Sequence, residues 1–190
     1  EDNLEDAMRQ ETHLFFRHVL DNNRSLSDFI DSDYTFSNPA LARHYGLAVP
    51  PEDTFRKVHL PTYSHRGGLL GQASILTATS NGVESQPVVR GVWVLENLLG
   101  TPPSPPPPDI EPLEPDTRGV STIRQLMEKH RNNPTCYECH RKIDPLGLAM
   151  EHYDHVGQWR DRYAKRLPIT RQLNLPMAPS SKVLKASKAC

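Results

Sequence analysis

The sequence predicts a mainly α-helical protein, with two helical regions joined by a proline-rich strap. Three observations predict this. Apolar residues recur at helical spacing in several runs, helix start and stop signals bracket those runs, and prolines crowd between Thr101 and Pro115. There are 18 prolines in 190 residues, against an ordinary usage of roughly 5%. The expected division is a helical and loop region over 1–100, a strap over 101–118 and a third region over 119–190.

Asn3 to Asn22 reads as an amphipathic helix. Leu4, Met8, Phe15 and Val19 form its stripe, Phe16 and Leu20 widen it, Asp2 or Asn3 caps it, and Glu5 and Asp6 suit its positive end. Ser25-Leu26-Ser27-Asp28 has capping-box spacing and starts a short second helix. Asn38-Pro39 supplies a cap and a first-turn proline, and Gly46 a stop. Over 50–86 short apolar stretches alternate with turn formers. Ile75 to Thr79 reads as a short strand or an irregular loop, and Asn81-Gly82 as a turn. Pro87 restarts a helix that runs to Leu99 and stops at Gly100, with Val88, Val92, Leu95 and Leu99 as its expected core stripe.

The run Pro105 to Pro108 cannot donate backbone hydrogen bonds and prefers an extended polyproline II path, hence the strap. Beyond it, Ser121 caps a helix over Ile123 to His130, ended by Asn133-Pro134. Asp144-Pro145-Leu146-Gly147 reads as a turn with Asp144 as its cap. A short helix is expected over Leu148 to Asp154, and Gly157-Gln158-Trp159-Arg160 looks like a packed edge. After Arg166 the chain is polar, basic and without periodicity.

Charge and hydropathy narrow the function classes. The 22 basic and 23 acidic side chains leave a net charge of -1, and mean hydropathy is -0.61. No concentrated basic surface points to nucleic acid, and no stretch approaches the ~20 apolar residues of a membrane span. The start at Glu1 reads as that of a processed or trimmed product.

The chemistry lies in Cys136-Tyr137-Glu138-Cys139-His140. A Cys-x-x-Cys-His run is the attachment pattern of a c-type haem, with two thioether bonds and the adjacent histidine on the iron. One helical turn brings both sulfurs to one side and aims His140 at the metal. The 119–190 region is therefore expected to be a cytochrome c-like module binding one covalent haem c through Cys136, Cys139 and His140, on which the 1–100 region packs. The alternatives are a zinc site completed by Cys190 and a histidine such as His155, a thioredoxin-like dithiol, and chance occurrence.

The second axial ligand is open. Met177, in Pro176-Met177-Ala178-Pro179, is the first candidate, since flanking prolines would stiffen its loop; the alternative is a tail methionine touching nothing. From His140 to Met150, ten extended residues reach about 33 Å, but the intervening turn wastes that reach, so Met150 reads as core. His65, His44 and His59 are further candidates. Arg66, ahead of Arg90 and Arg141, is expected to neutralise haem propionates. Trp93 and Trp159 are expected as haem-wall or core aromatics.

With that motif placed, the chain resembles the large secreted cytochromes of planctomycetes and related bacteria, built from modules of unknown function. The resemblance runs from about residue 5 to 162. It is carried by Asp33-Tyr34-Thr35-Phe36, Leu41 to Gly46, Arg66-Gly67-Gly68-Leu69-Leu70, Ala73 to Ser80, Arg90 to Asn97 with Leu98 to Pro103, and Cys136 to His140 followed by Ile143 to Gly147, Glu151, Tyr153-Asp154 and Gly157. The resemblance implies export to the periplasm, cell envelope or extracellular space, and a place in a larger polypeptide or complex whose redox subunits would be the partners. It implies no settled enzymatic activity. The expected function is electron transfer. The alternatives are a haem enzyme with an open axial position acting on peroxide, oxygen or a small substrate, and a structural module in which haem organises an interface.

Overall fold

The structure is a computed structural model that describes residues 3–105, 124, 127, 134–163, 168 and 169, with side chains from 137 onward in the segment that starts at 134. It is mainly α. Helix α1 spans Leu4–Asp21, with the side chain of Asn3 accepting from the Glu5 amide as N-cap. A 3₁₀ turn over Leu26–Phe29 follows, capped by Ser25. Strand β1 (Tyr34–Ser37) precedes α2 (Pro39–Tyr45), which starts on the Asn38 cap and ends on Gly46 at φ 67°. Strand β2 (Arg56–His59) pairs antiparallel with β1, Tyr34 opposite His59 and Ser37 opposite Arg56. Helices α3 (Ala73–Ala78), α4 (Pro87–Asn97) and α5 (Pro134–Leu148) complete the frame. No helix among the described residues is long and apolar enough to cross a membrane.

The expected starts of α1, α2 and α4 and the stops of α1 and α2 match the structure. Helix α4 ends at Asn97, two residues before the expected Leu99, and four further expectations need correction. The strand pair was not anticipated. Three of the four β1 residues are buried, so the strand lacks the alternation that marks a half-exposed one, and β2 is built mostly from charged residues. Ile75 to Thr79 is largely helix rather than strand or loop. Tertiary contacts override the β-branched residues there: Ala73 and Leu76 are wholly buried, and the Ala73 amide donates to the Tyr45 hydroxyl at 2.7 Å, a cap brought from another helix.

The buried face of α4 is Pro87, Arg90, Gly91, Val94 and Leu95, while Leu99 is exposed. This stripe is rotated from the expected one because an arginine and a glycine hold core positions. Lastly, Asp144 to Gly147 is not a turn. Helix α5 continues through Pro145 to Leu148, and turns rather than a helix follow. A proline in a helix interior removes one backbone hydrogen bond; here the packing of α5 on α4 outweighs that loss. The strap beyond Pro105, the helix expected over 123–130 apart from Arg124 and Met127, and the tail lie outside the described residues.

The core has three connected parts. Met8 of α1, Leu41 and Tyr45 of α2 and Ala73 of α3 form the first, and Phe15, Val19, Tyr34 and Leu69 the second. Leu76, Val94, Met150 and Tyr153, with Trp93, Leu146 and Trp159 against them, form the third. Met150 is thus a core side chain, as the reach argument expects.

At the centre of the first part Glu11 is fully buried, accepting from Thr35 Oγ1 at 2.6 Å and Tyr45 Oη at 2.5 Å. Burial raises its pKa from 4.5 to about 7, outweighing the lowering by those two hydroxyls and Arg66. A carboxyl with a raised folded pKa stabilises fully below its unfolded pKa, and that stability is lost as pH rises through the folded value. Between pH 4.5 and 7 the protein should therefore lose roughly 3 kcal/mol from this group. Urea unfolding across that range should show the slope in the wild type and its absence in Glu11→Gln; parallel curves would contradict the assignment.

Candidate functional site

The Cys136 to His140 run occupies the first half of α5. Cys136 and Cys139 are three residues apart in one continuous helix, so they sit on neighbouring rows one turn apart. Cys139 is a free thiol and half-buried. His140 follows on the row that begins at Cys136 and continues to Asp144, each four residues from the last. Its Nδ1 lies 2.8 Å from Asp144 Oδ1, with the His140 side chain 13% exposed and Asp144 wholly buried.

Burial changes along this helix. Tyr137, Cys139 and His140 are half-buried and Glu138 and Arg141 exposed, whereas Ile143, Asp144, Gly147 and Leu148 are buried. The second half anchors the helix and the first half presents the motif. The anchor is unusually close. A Cβ on Gly91 of α4 would drive into the Ile143 carbonyl oxygen, and one on Gly147 into that of Pro87. Only glycines let the two backbones meet this way.

The chain after α5 is clamped by arginines. Arg90, 1% exposed, donates to the carbonyls of Met150 (2.9 Å), Tyr153 (2.8 Å), Asp154 (2.6 Å) and Leu76 (3.2 Å), and to Ser80 Oγ (3.2 Å). Desolvation, then the nearby Arg160, lowers its pKa to about 10. Arg66 donates from Nη1 to the Gly71 carbonyl at 2.6 Å and from Nη2 to the Gly157 carbonyl at 2.5 Å. Its guanidinium lies 3.6 Å over the Tyr45 ring. Both arginines, expected at haem propionates, tie the 150–157 segment to the rest of the protein. Arg141 is exposed and bonds Glu138 on its own helix.

The histidines divide similarly. His44 Nε2 donates to the Val156 carbonyl at 2.8 Å, and burial lowers its pKa. His59 is exposed near Asp33, and His65, in a left-handed conformation at φ 57°, stacks on Trp159 at 4.0 Å. His152 stacks on the same indole at 4.7 Å. Met177, and Cys190 of the zinc alternative, lie outside the described residues.

Asp144, which reads in sequence as a turn cap, is the residue the structure adds to this candidate site. The signal was present in its spacing of four from His140, which on a helix places the two side chains together.

A model of PSCyt3, a protein family of unknown function (DUF1588), matches residues 66–163. A model of PSD4, a second family of unknown function (DUF1592), matches residues 1–47. Both are planctomycete cytochrome-type modules. No curated protein and no solved structure matches the chain.

Proposed function

We propose that this chain, which belongs to the PSCyt3 family, transfers electrons through one covalently attached haem c as a module of a larger cell-envelope redox protein or complex. One observation carries the reading: a single helix holds the two cysteines one turn apart and the neighbouring imidazole with its Nδ1 engaged by a buried carboxylate. These residues fit the group. Two cysteines one turn apart on a helix suit two thioether bonds, and a histidine with Nδ1 committed to Asp144 directs Nε2 to a metal. A dithiol reading would leave the His140–Asp144 pair without a task. When bound, the haem supplies an iron that exchanges one electron.

The protein's own part is to hold that helix still. The glycine-mediated crossing of α4 and α5 fixes its second half, and Arg90 fixes the chain that leaves it. A site that does not rearrange on gaining or losing charge is suited to transfer. The half-buried Tyr137, Cys139 and His140 lie where a haem would cover the helix. The resemblance to secreted cytochromes supports a place in the periplasm, cell envelope or extracellular space, and the partner would be a redox protein or another subunit.

Ferric and ferrous absorption spectra of the matured protein, with and without carbon monoxide, test this. Expected are low-spin iron in both states, no response to carbon monoxide, and reversible one-electron reduction. A high-spin iron that binds carbon monoxide quickly would move the function to catalysis on a small molecule, and absence of reversible reduction would overturn transfer.

A further inference from the structure

We propose that Asp144 is the positioning residue for the haem ligand, holding His140 with its proton on Nδ1 and lowering the reduction potential of the bound iron. The inference rests on the haem reading above and adds to it a residue that sets the potential.

The geometry has three parts. The Nδ1 to Oδ1 distance of 2.8 Å is that of a charge-assisted hydrogen bond, and it joins residues one turn apart on the same helix. The carboxylate is wholly buried and the imidazole side chain 13% exposed, so water has little access to the bond and the interaction is strengthened. The supports are rigid: Ile143, adjacent to Asp144, presents its carbonyl to Gly91, and Gly147 one turn further on abuts Pro87. The backbone that carries Asp144 is therefore held against α4.

Two consequences follow from general chemistry. An imidazole whose Nδ1–H is held by an acceptor keeps one tautomer and one ring orientation, with Nε2 as the metal-binding nitrogen. A carboxylate acceptor also makes the imidazole a stronger donor, and a buried negative charge beside it favours the more positive, oxidised iron. Asp144 should thus place the potential below that of the same site with a neutral acceptor.

The test is Asp144→Asn in matured protein, with potentials measured by spectroelectrochemical titration. Asparagine keeps the shape and an oxygen acceptor but removes the charge. The variant should retain covalent haem and show a clearly raised potential, whereas a merely structural role would leave the potential of correctly folded variant where it was. A measurement without substitution stands beside it. In reduced wild-type protein the His140 Nδ1 proton should be seen by nitrogen-edited NMR and exchange slowly with water. An unchanged potential, or a proton exchanging as in a free imidazole, overturns the role of Asp144 while leaving the haem reading intact. Absence of covalent haem from matured wild type overturns both.

Discussion

Arg90→Met will destabilise the protein by roughly 3–5 kcal/mol, since several hydrogen bonds from one buried charged group are lost together and such bonds contribute about 1.5–3 kcal/mol each without adding fully. The guanidinium is 1% exposed and gathers four backbone carbonyls and one hydroxyl from α3, the Ser80 turn and the chain after α5. Methionine fills much of the volume but donates nothing. The Tyr153 carbonyl would then lose its donor, at about 1–3 kcal/mol for a buried acceptor left unsatisfied, while those of Met150 and Asp154 would keep only the weaker hold of the Tyr153 and Gly157 amides. Arg90→Lys should fall between, since one ammonium cannot span acceptors on three segments. Urea unfolding monitored by circular dichroism checks the order wild type, Lys, Met. A Met variant within about 1 kcal/mol of wild type, the net worth of a single ordinary hydrogen bond, would contradict the clamp.

Gly147→Ala should cost about 3 kcal/mol, the upper part of the range for overpacking. Helix propensity argues the other way, because alanine in a helix interior is favoured over glycine by about 1 kcal/mol. The sign is decided by what the new methyl meets. It would enter the space of the Pro87 carbonyl oxygen, which is backbone and cannot rotate aside. Gly91→Ala meets the Ile143 carbonyl in the same way, so each substitution pushes α4 and α5 apart. Gly82→Ala is the contrast: a Cβ there has nothing within 4 Å, and only its φ of 83° opposes the change. Thermal unfolding of the three variants should rank Gly147→Ala as the most damaging.

These effects show which features the sequence carries openly. Asn3, the Asn38-Pro39 pair, Gly46 and Pro87 announce their helices because capping is local chemistry, readable without knowing what the helix packs on. The cysteine and histidine spacing is local in the same sense. Features decided at long range were hidden. The first turn of α3 is capped by the hydroxyl of Tyr45, 28 residues earlier. Arg90 reads as a candidate partner of haem propionates until the carbonyls from 150 to 154 are brought around it. Pro145 and Gly147 read as helix breakers, yet the glycine is what permits the helix crossing. Four residues that carry the family resemblance prove to build this frame: Arg66, Arg90, Tyr153 and Gly157 hold the segment after α5 in place. Asp144 is the exception, legible only once Asp144 and His140 are known to share a helix.

The central claim is that the two thiols of the Cys136 to His140 run carry a haem. Intact mass spectrometry of protein matured in a cell that attaches haem c, under denaturing conditions, tests it most directly. The mass should exceed that of the polypeptide by one haem, and the increment should vanish in the Cys136→Ser, Cys139→Ser double variant. A wild-type mass equal to the bare chain, with both thiols open to alkylation, would contradict the account.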